Sequence, residues 1–325
     1  MTARTRVLAI VGAAAVIVAG STLAVTWLQT RGETTKATGA VATPRAGHPP
    51  LTLELGVRND PEARALLEGE RLLRKKGKEG RALAIFERYR SVDARIGALF
   101  ARWPRGGGLD AMKQIVAEHP RSAAAQLHLA WAYLWAGRVG DAATQFRRVD
   151  TQFPDAPEAA TAEDVLYSTM APGPPTLVLD VGLPSAPSAA AQLALVERGA
   201  RTGGARAKLR YGLALWTLHR RVSAERQFEA AAGLAPDDPV AQTAAAVGRF
   251  TKRNPVAAFA RLGPLSGRFP HAAVVHLHLG TLLLWTGKVA KAKGQFEQAV
   301  ADEPRSAYAQ AAREFLSIIP NDGTK

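Results

Sequence analysis

The sequence contains no cysteine, only three methionines and few aromatic residues, which make up 6% of the chain. Without cysteine, disulfide bonds, thiolate zinc ligands and thiol nucleophiles are excluded. Acidic residues are also in the minority, since 28 Asp and Glu stand against 42 Lys and Arg. The net charge of +14 suits acidic partners, anionic lipid surfaces or nucleic acid, and does not choose among them. Apolar residues reach 47%, enough for a sizeable core.

Charge is absent from residues 7–28, a run of 22 positions near the N-terminus. Because about 20 apolar residues are needed for a helix to cross the hydrocarbon core, this run is predicted to be a single transmembrane helix. Arg4 and Arg6 favour a cytoplasmic N-terminus, residues 1–6, and an extracytoplasmic remainder. The alternative is a signal peptide cleaved near residues 18–20. The apolar run continues well beyond that point, which favours an uncleaved anchor.

Residues 29–57 are predicted to be a flexible linker, because Thr, Gly, Pro and charged residues dominate and no helical period is present. Within this linker, the short stretch LTLEL at 51–55 is compatible with a strand fragment or a docking strip. No function is assigned to it from the sequence.

The remainder of the chain repeats itself, and prolines mark the period. The intervals Pro120–Pro154, Pro236–Pro270 and Pro270–Pro304 are each 34 residues long. The repeats contain an alanine one helical turn before a phenylalanine, so that the small residue and the ring share one helical face. These pairs are Ala82/Phe86, Ala142/Phe146, Ala224/Phe228 and Ala292/Phe296.

Two stretches are related by a shift of 150 residues, QLHLAWAYLWAGRV at 126–139 and HLHLGTLLLWTGKV at 276–289. Gly137 and Gly287 occupy the same place in both, where a sharp turn between two helices favours a residue that tolerates positive φ.

His276 and His278 suggest a metal site at first sight. Residues two apart project about 200° apart around a helix, so the two rings cannot share one ion. Gln126 occupies the place of His276 in the earlier copy. Both histidines are therefore predicted to be ordinary helix positions, without a metal.

The succession Leu129-Ala130-x2-Tyr133, Ala142-x3-Phe146 and Pro154 resembles the tetratricopeptide repeat, a 34-residue helix-turn-helix unit. The early tryptophan of that family is absent, since Gln126, Lys208 and His276 stand in its place.

The resemblance covers about residues 60–320 and implies an all-α fold, an α-solenoid. The transmembrane helix predicted from the uncharged run at 7–28 precedes it. Its predicted parts are an N-terminal block at 58–171, a proline-rich insertion at 172–187, a C-terminal block at 188–325 and, within that block, a capping helix at 305–319.

The resemblance also implies that the first helix of each repeat lines a concave surface. These helices carry a second apolar stripe, and a helix that is apolar nearly all round must be covered on both sides. The stripe either forms a groove for a partner peptide or helix, or packs against adjacent repeats. Its residues are Leu127, Trp131, Leu134, Trp135, Leu209, Leu213, Trp216, Leu277, Leu284 and Trp285.

A basic cluster at 71–81 is either a solvated turn or a patch that lies near anionic lipid. No aromatic residues are interleaved with these charges, so no nucleic-acid partner is expected. The cluster consists of Arg71, Arg74, Lys75, Lys76, Lys78 and Arg81.

No nucleotide-binding, hydrolase or metalloenzyme signature is present, so neither catalytic residues nor a cofactor is expected. The sequence predicts a non-enzymatic bacterial scaffold, or assembly or maturation factor, tethered to the membrane and binding a protein partner. The alternatives are an envelope enzyme built on a helical solenoid, such as a cell-wall hydrolase, and a regulatory adaptor that faces the cytosol.

Overall fold

The computed structural model describes residues 45–103 and 108–319. Over these ranges the chain forms fifteen helices and no strand, which confirms the predicted all-α class for the described residues. None of these helices is long and apolar enough to cross a membrane. The predicted cytoplasmic N-terminus and the anchor at 7–28 lie outside the described residues.

The helices are numbered in chain order. They are α1 Pro61–Leu73, α2 Glu79–Phe86, α3 Val92–Ala101, α4 Gly108–Glu118, α5 Ala123–Trp135, α6 Val139–Gln152, α7 Pro157–Leu166, α8 Ala189–Thr202, α9 Ala205–Thr217, α10 Arg221–Leu234, α11 Pro239–Gly248, α12 Val256–Arg268, α13 Ala273–Trp285, α14 Val289–Asp302 and α15 Ala307–Ile318.

The chain divides into two compact units. Within each unit, consecutive helices pack side by side and alternate helices also touch, as expected of stacked helix hairpins. The alternate helices form an inner row, which is α1, α3 and α5 in the first unit and α9, α11, α13 and α15 in the second. The first unit holds the described residues up to Leu55, Asn59–Gln152 and Thr161–Ser168, and the second holds Gly56–Arg58, Phe153–Ala160 and the described residues from Thr169 onward.

Short-range sequence signals set the helix ends. Asp60 and Ser122 precede α1 and α5, and each side chain accepts a hydrogen bond from the backbone N–H three residues later. Such a cap satisfies a donor that has no partner inside the helix. Gly137 and Gly287 have φ of 77° and 76°, which confirms the predicted sharp turns after α5 and α13.

The recurring phenylalanines are the centres of the hairpins. Phe86, Phe146, Phe228 and Phe296 are at most 1% exposed, as the repeat pattern predicts. In addition, a glycine on the facing inner helix lies directly against the ring: a Cβ on Gly280 would stand 2.6 Å from Phe296. In this hairpin, small residues on both helices, Gly280 and Ala292, therefore make room for the Phe296 ring.

Gly280→Ala is expected to destabilise the second unit by about 1–3 kcal/mol, because the added methyl group overpacks the Phe296 ring. Urea unfolding followed by circular dichroism measures the change. Gly294→Ala, on α14 of the same hairpin, is the matched control, since nothing lies within 4 Å of the position of its Cβ. The control is expected to be neutral or stabilising; an equal loss in both variants would contradict the overpacking.

Candidate functional site

Two stretches outside the helices share one ten-residue pattern. Residues 47–56 read GHPPLTLELG, and residues 173–182 read GPPTLVLDVG. Glycine, proline and two leucines recur at the first, third, fifth and seventh positions, an acid recurs at the eighth, and glycine closes both. All four terminal glycines have positive φ, between 59° and 77°. Residues 45–55 are called segment A here, and residues 171–181 segment B.

Segment A lies along the inner helices of the first unit. Leu51 and Leu53 are buried in one core with Leu66 of α1 and Leu129 of α5. The intervening residues Pro50, Thr52 and Glu54 are less buried. This alternation is that of an extended chain with one side packed against the protein.

The main chain of segment A is held at three points. The Arg45 N–H donates to the Trp135 carbonyl at 2.8 Å, and the Thr52 N–H donates to Nε2 of His128 at 3.3 Å. These two acceptors lie on α5. The third point is on α1, where the carboxylate of Glu70 accepts a hydrogen bond from the Leu53 N–H. The segment is thus bound as a peptide is bound, by its backbone and by every second side chain.

Segment B repeats this arrangement in the second unit. Leu177, Leu179 and Val181 are buried in the core of that unit. The Ala171 N–H donates to the Trp285 carbonyl at 3.2 Å, and the Val178 N–H donates to Nε2 of His278 at 3.1 Å. Trp135 and Trp285 are 150 residues apart in the sequence, and so are His128 and His278.

Further side chains hold both ends of segment B. Nζ of the buried Lys252 donates to the Ala171 carbonyl at 2.5 Å. At the other end, Nε of Arg206 and Nε of Arg210 donate to the Val181 carbonyl at 3.3 and 2.9 Å. Cationic donors thus provide hydrogen bonds to main-chain carbonyl groups at both ends of this extended segment.

His128 and His278 are fully buried and share one hydrogen-bonding state. Nδ1–H of each ring donates to the carbonyl four residues earlier, Ala124 at 2.7 Å and Val274 at 2.6 Å, so that Nε2 is the acceptor for the segment amide. Burial lowers the pKa of both rings to about 4. Both are therefore neutral near pH 7, as the contact requires.

His278 is a buried helix position, and the structure adds a contact that the sequence did not predict, because its ring holds the main chain of segment B. His276 behaves as its sequence counterpart Gln126 does. His276 Nε2 lies 3.1 Å from the Pro270 carbonyl, and Gln126 Nε2 donates to the Pro120 carbonyl at 3.0 Å. The described part of the chain holds no cluster of three or more His, Asp or Glu that could bind a metal ion.

The apolar stripe predicted as a groove is covered by the chain itself at several points. Trp216 and Trp285 donate their Nε1–H to the carbonyls of segment B residues, and the Trp135 ring lies 5.1 Å below the Arg45 guanidinium. Trp131 packs edge-on against Phe146, with ring centroids 5.1 Å apart. Binding of a partner by the stripe stays a prediction. Its buried members are Leu127, Trp131, Leu134, Leu209, Trp216 and Leu277, and its half-buried members are Trp135, Leu213, Leu284 and Trp285.

The six residues of the predicted basic patch, from Arg71 to Arg81, are all exposed at the end of α1 and the start of α2. Arg71 pairs with Glu68 at 2.6 Å, and Arg74 pairs with Glu70 at 2.5 Å. Part of the positive charge is therefore compensated locally. The role of the patch near anionic lipid stays a prediction.

Sequence reasoning missed the two segments as parts of a site. LTLEL lies in the predicted linker, with a strand fragment or a docking strip as alternatives, and residues 172–187 are predicted to be an insertion because they are rich in proline. The signal that identifies them is their likeness to each other, together with the recurrence of His128 as His278. A linker needs neither feature.

Comparison with known proteins agrees with the repeat pattern. Residues 107–164 match the family model "Tetratricopeptide repeat", which confirms the predicted family for that part of the chain. No curated protein matches the sequence.

Solved structures similar to the chain include YrrB, described as a TPR protein with an unusual peptide-binding site. It is 14% identical, with a TM-score of 0.31 and coverage of 63% of this chain and 99% of YrrB. A tetratricopeptide repeat protein from Parabacteroides merdae is 13% identical, with a TM-score of 0.34 and coverage of 80% and 99%. Yeast Tom70 is 13% identical, with a TM-score of 0.29 and coverage of 83% and 66%. These scores are too low to support a functional comparison.

Proposed function

We propose that this chain, with tetratricopeptide repeats at 107–164, is a non-enzymatic scaffold tethered to the membrane that binds extended segments of protein partners. The repeats lie on the extracytoplasmic side in this proposal, and the chain serves the assembly or maturation of proteins there. The helical repeats support the scaffold class in this proposal. The tether and the partner are the parts of the proposal that require experiment.

One observation carries the proposal. Both units hold a stretch of extended polypeptide on their inner helices through a histidine Nε2, a tryptophan carbonyl and a row of apolar contacts. These contacts engage main-chain groups and every second side chain, and any extended peptide presents both. The inner surface is therefore chemically suited to polypeptide rather than to a small polar substrate.

Support for the tether comes from the uncharged run at 7–28 and the arginines that precede it. A phosphatase fused after Lys325, active only outside the cytoplasm, is expected to be active in cells. A reporter that works only in the cytosol, fused at the same point, is expected to be silent. The reverse pattern would establish a protein that faces the cytosol and would exclude the proposed location.

Partner binding is tested by photo-crosslinking in cells. A photoreactive amino acid at Trp135, half-buried on the inner helix α5 of the first unit, is expected to form a defined adduct with another protein. Ala117, exposed on the outer helix α4, is the control position and is expected to form none. If both positions gave the same adducts or no adduct, the scaffold proposal would lose its support.

A further inference from the structure

Segments A and B differ in how many hydrogen-bond donors of the covered tryptophans they satisfy. In the second unit, Nε1–H of Trp216 and Nε1–H of Trp285 donate to carbonyls of segment B at 3.2 and 3.1 Å. In the first unit, Nε1 of Trp131 and Nε1 of Trp135 are buried and have no hydrogen-bond partner among the described residues. A buried donor without an acceptor loses its hydration and gains nothing in return.

Packing beside segment A is also incomplete. A cavity of about 130 Å³ is lined by Thr52 of the segment together with Trp131, Glu70 and Asp164. The Thr52 hydroxyl is buried and, like Nε1 of Trp131, lacks a hydrogen-bond partner within the described ranges. Segment A therefore leaves both space and unpaired polar atoms at the surface that it covers.

The acidic position of the shared pattern is unfavourable in segment A. Burial, followed by the nearby negative charge of Glu70, raises the pKa of Glu54. Burial also raises the pKa of Glu70, although Arg74 opposes this. In segment B the corresponding Asp180 is exposed. The carboxylate of segment A thus lies beside a second carboxylate in a poorly hydrated place, and that of segment B lies in water.

We propose that the first unit exchanges segment A for an extended segment of a partner protein, whereas segment B is a permanent part of the second unit. The partner segment carries a proline followed by leucines at alternate positions, and a basic or neutral residue in the place of Glu54. The inference rests on the proposed function and names the partner chemistry that it left open.

The contacts explain this choice of ligand. Nε2 of His128 accepts from a main-chain N–H, and the sites of Leu51 and Leu53 accept two alternate apolar side chains. Both contacts are available to any peptide with the same spacing. A lysine in the place of Glu54 replaces a repulsive contact with Glu70 by an attractive one. A partner with that residue is therefore better matched to the groove than segment A is.

Tethering makes segment A a strong competitor, because a short connection to the groove gives it an effective concentration of about millimolar. A free peptide displaces it only at comparable concentration or with a better fit. The unmodified full-length protein is accordingly expected to be closed to a peptide with the sequence of segment A at micromolar concentration.

The first experiment uses the unmodified full-length protein and the synthetic peptide RAGHPPLTLKLG, which is residues 45–56 with lysine in the place of Glu54. Hydrogen–deuterium exchange is measured with the peptide at about millimolar concentration, matching the effective concentration of the tethered segment. Amides of residues 45–55 are expected to exchange faster, and those of residues 171–181 to remain unchanged. Unchanged exchange in both segments, or faster exchange in both, would overturn the proposal.

The second experiment opens the groove. In the full-length chain, Leu51→Asp with Leu53→Asp prevents segment A from packing, and binding of the fluorescein-labelled peptide is followed by anisotropy. The opened variant is expected to bind the peptide at least ten-fold more tightly than the unmodified protein does. It is also expected to bind the lysine peptide about ten-fold more tightly than the glutamate peptide, because a ten-fold change in affinity is the usual size of one favourable charge interaction.

His128→Phe added to the opened variant is the matched control, because it removes the acceptor for the peptide amide and is expected to weaken binding about ten-fold or more. Circular dichroism establishes that each variant retains its helices, and the exchange experiment decides the question if one does not. An opened, helical variant that fails to bind would overturn the proposal even if photo-crosslinking had identified a partner. Self-association of the unmodified protein that the peptide disrupts would identify a second copy as the occupant and would overturn the assignment to another protein.

Discussion

Acidification from pH 7 to pH 4 is expected to destabilise both units by weakening the hold on segments A and B. His128 and His278 have a pKa of about 4 in the folded chain, against an ordinary value of 6.5. Burial is the principal cause, and a protonated ring also has no acceptor for the segment amide. Each unit therefore depends on a neutral imidazole.

The sign of the effect follows from the order in which the two states bind protons. Between pH 6.5 and about 4 the unfolded chain holds more protons on these rings than the folded chain does, so stability falls as the pH falls. A depression of this size corresponds to about 3 kcal/mol for each histidine. That contribution is complete above pH 6.5 and is lost below pH 4.

Glu54 and Glu70 act in the opposite sense. Their pKa values are raised in the folded chain, so their carboxyl groups take up protons there more readily than in the unfolded chain. As the pH falls toward their ordinary range, this uptake offsets part of the loss from His128 in the first unit. In the second unit Glu225 acts in the same sense, because burial raises the pKa of its carboxyl group.

Urea unfolding at pH 7, 6, 5 and 4 measures the effect. The paired substitution His128→Leu and His278→Leu is the control: it is expected to lower stability at pH 7 and to flatten the profile between pH 6.5 and 4. An unaltered profile in this variant would show that other groups cause the acid sensitivity.

Trp131→Ala is expected to lower the free energy of unfolding of the first unit by about 3–5 kcal/mol, the usual cost of deleting a buried aromatic ring. Trp131 is 3% exposed, and its ring meets Phe146 edge-on. The substitution removes this contact and leaves a large cavity between α5 and α6. Urea denaturation monitored by circular dichroism provides the measurement.

Trp135→Ala is the matched comparison, one helical turn later on α5. Its ring is half-buried and contacts the Arg45 guanidinium, while the hydrogen bond from the Arg45 N–H goes to the main chain of Trp135 and survives the substitution. A smaller loss is therefore expected, about 1 kcal/mol. Equal losses in the two variants would contradict the assignment of Trp131 to the core and of Trp135 to the edge of the groove.

These two tryptophans also show why the sequence left the apolar stripe undecided. Periodicity states which face of a helix is apolar, and Trp131 and Trp135 share a face because they lie four residues apart. Whether an apolar face meets another helix, an extended segment or a partner depends on what the fold brings to it. For Trp131 that neighbour is Phe146 of the next helix, and for Trp135 it is the start of segment A.

The sequence by itself determined the repeats. The spacing of Pro120 and Pro154, the pairs such as Ala292 and Phe296, and the turn at Gly287 all depend on contacts within one helix hairpin. Interactions over so short a separation leave a periodic trace that can be read along the chain. The all-α fold and the buried rings follow from that trace.

Only the tertiary structure decided where the extended segments lie and what His128 and His278 do. Thr52 and His128 are 76 residues apart, and Val178 and His278 are 100 residues apart. Each contact joins a main-chain amide to a side chain, and a main-chain amide has no identity in the sequence. Composition therefore suggested a linker and an insertion, whereas packing made both stretches part of the surface on which the proposed function depends.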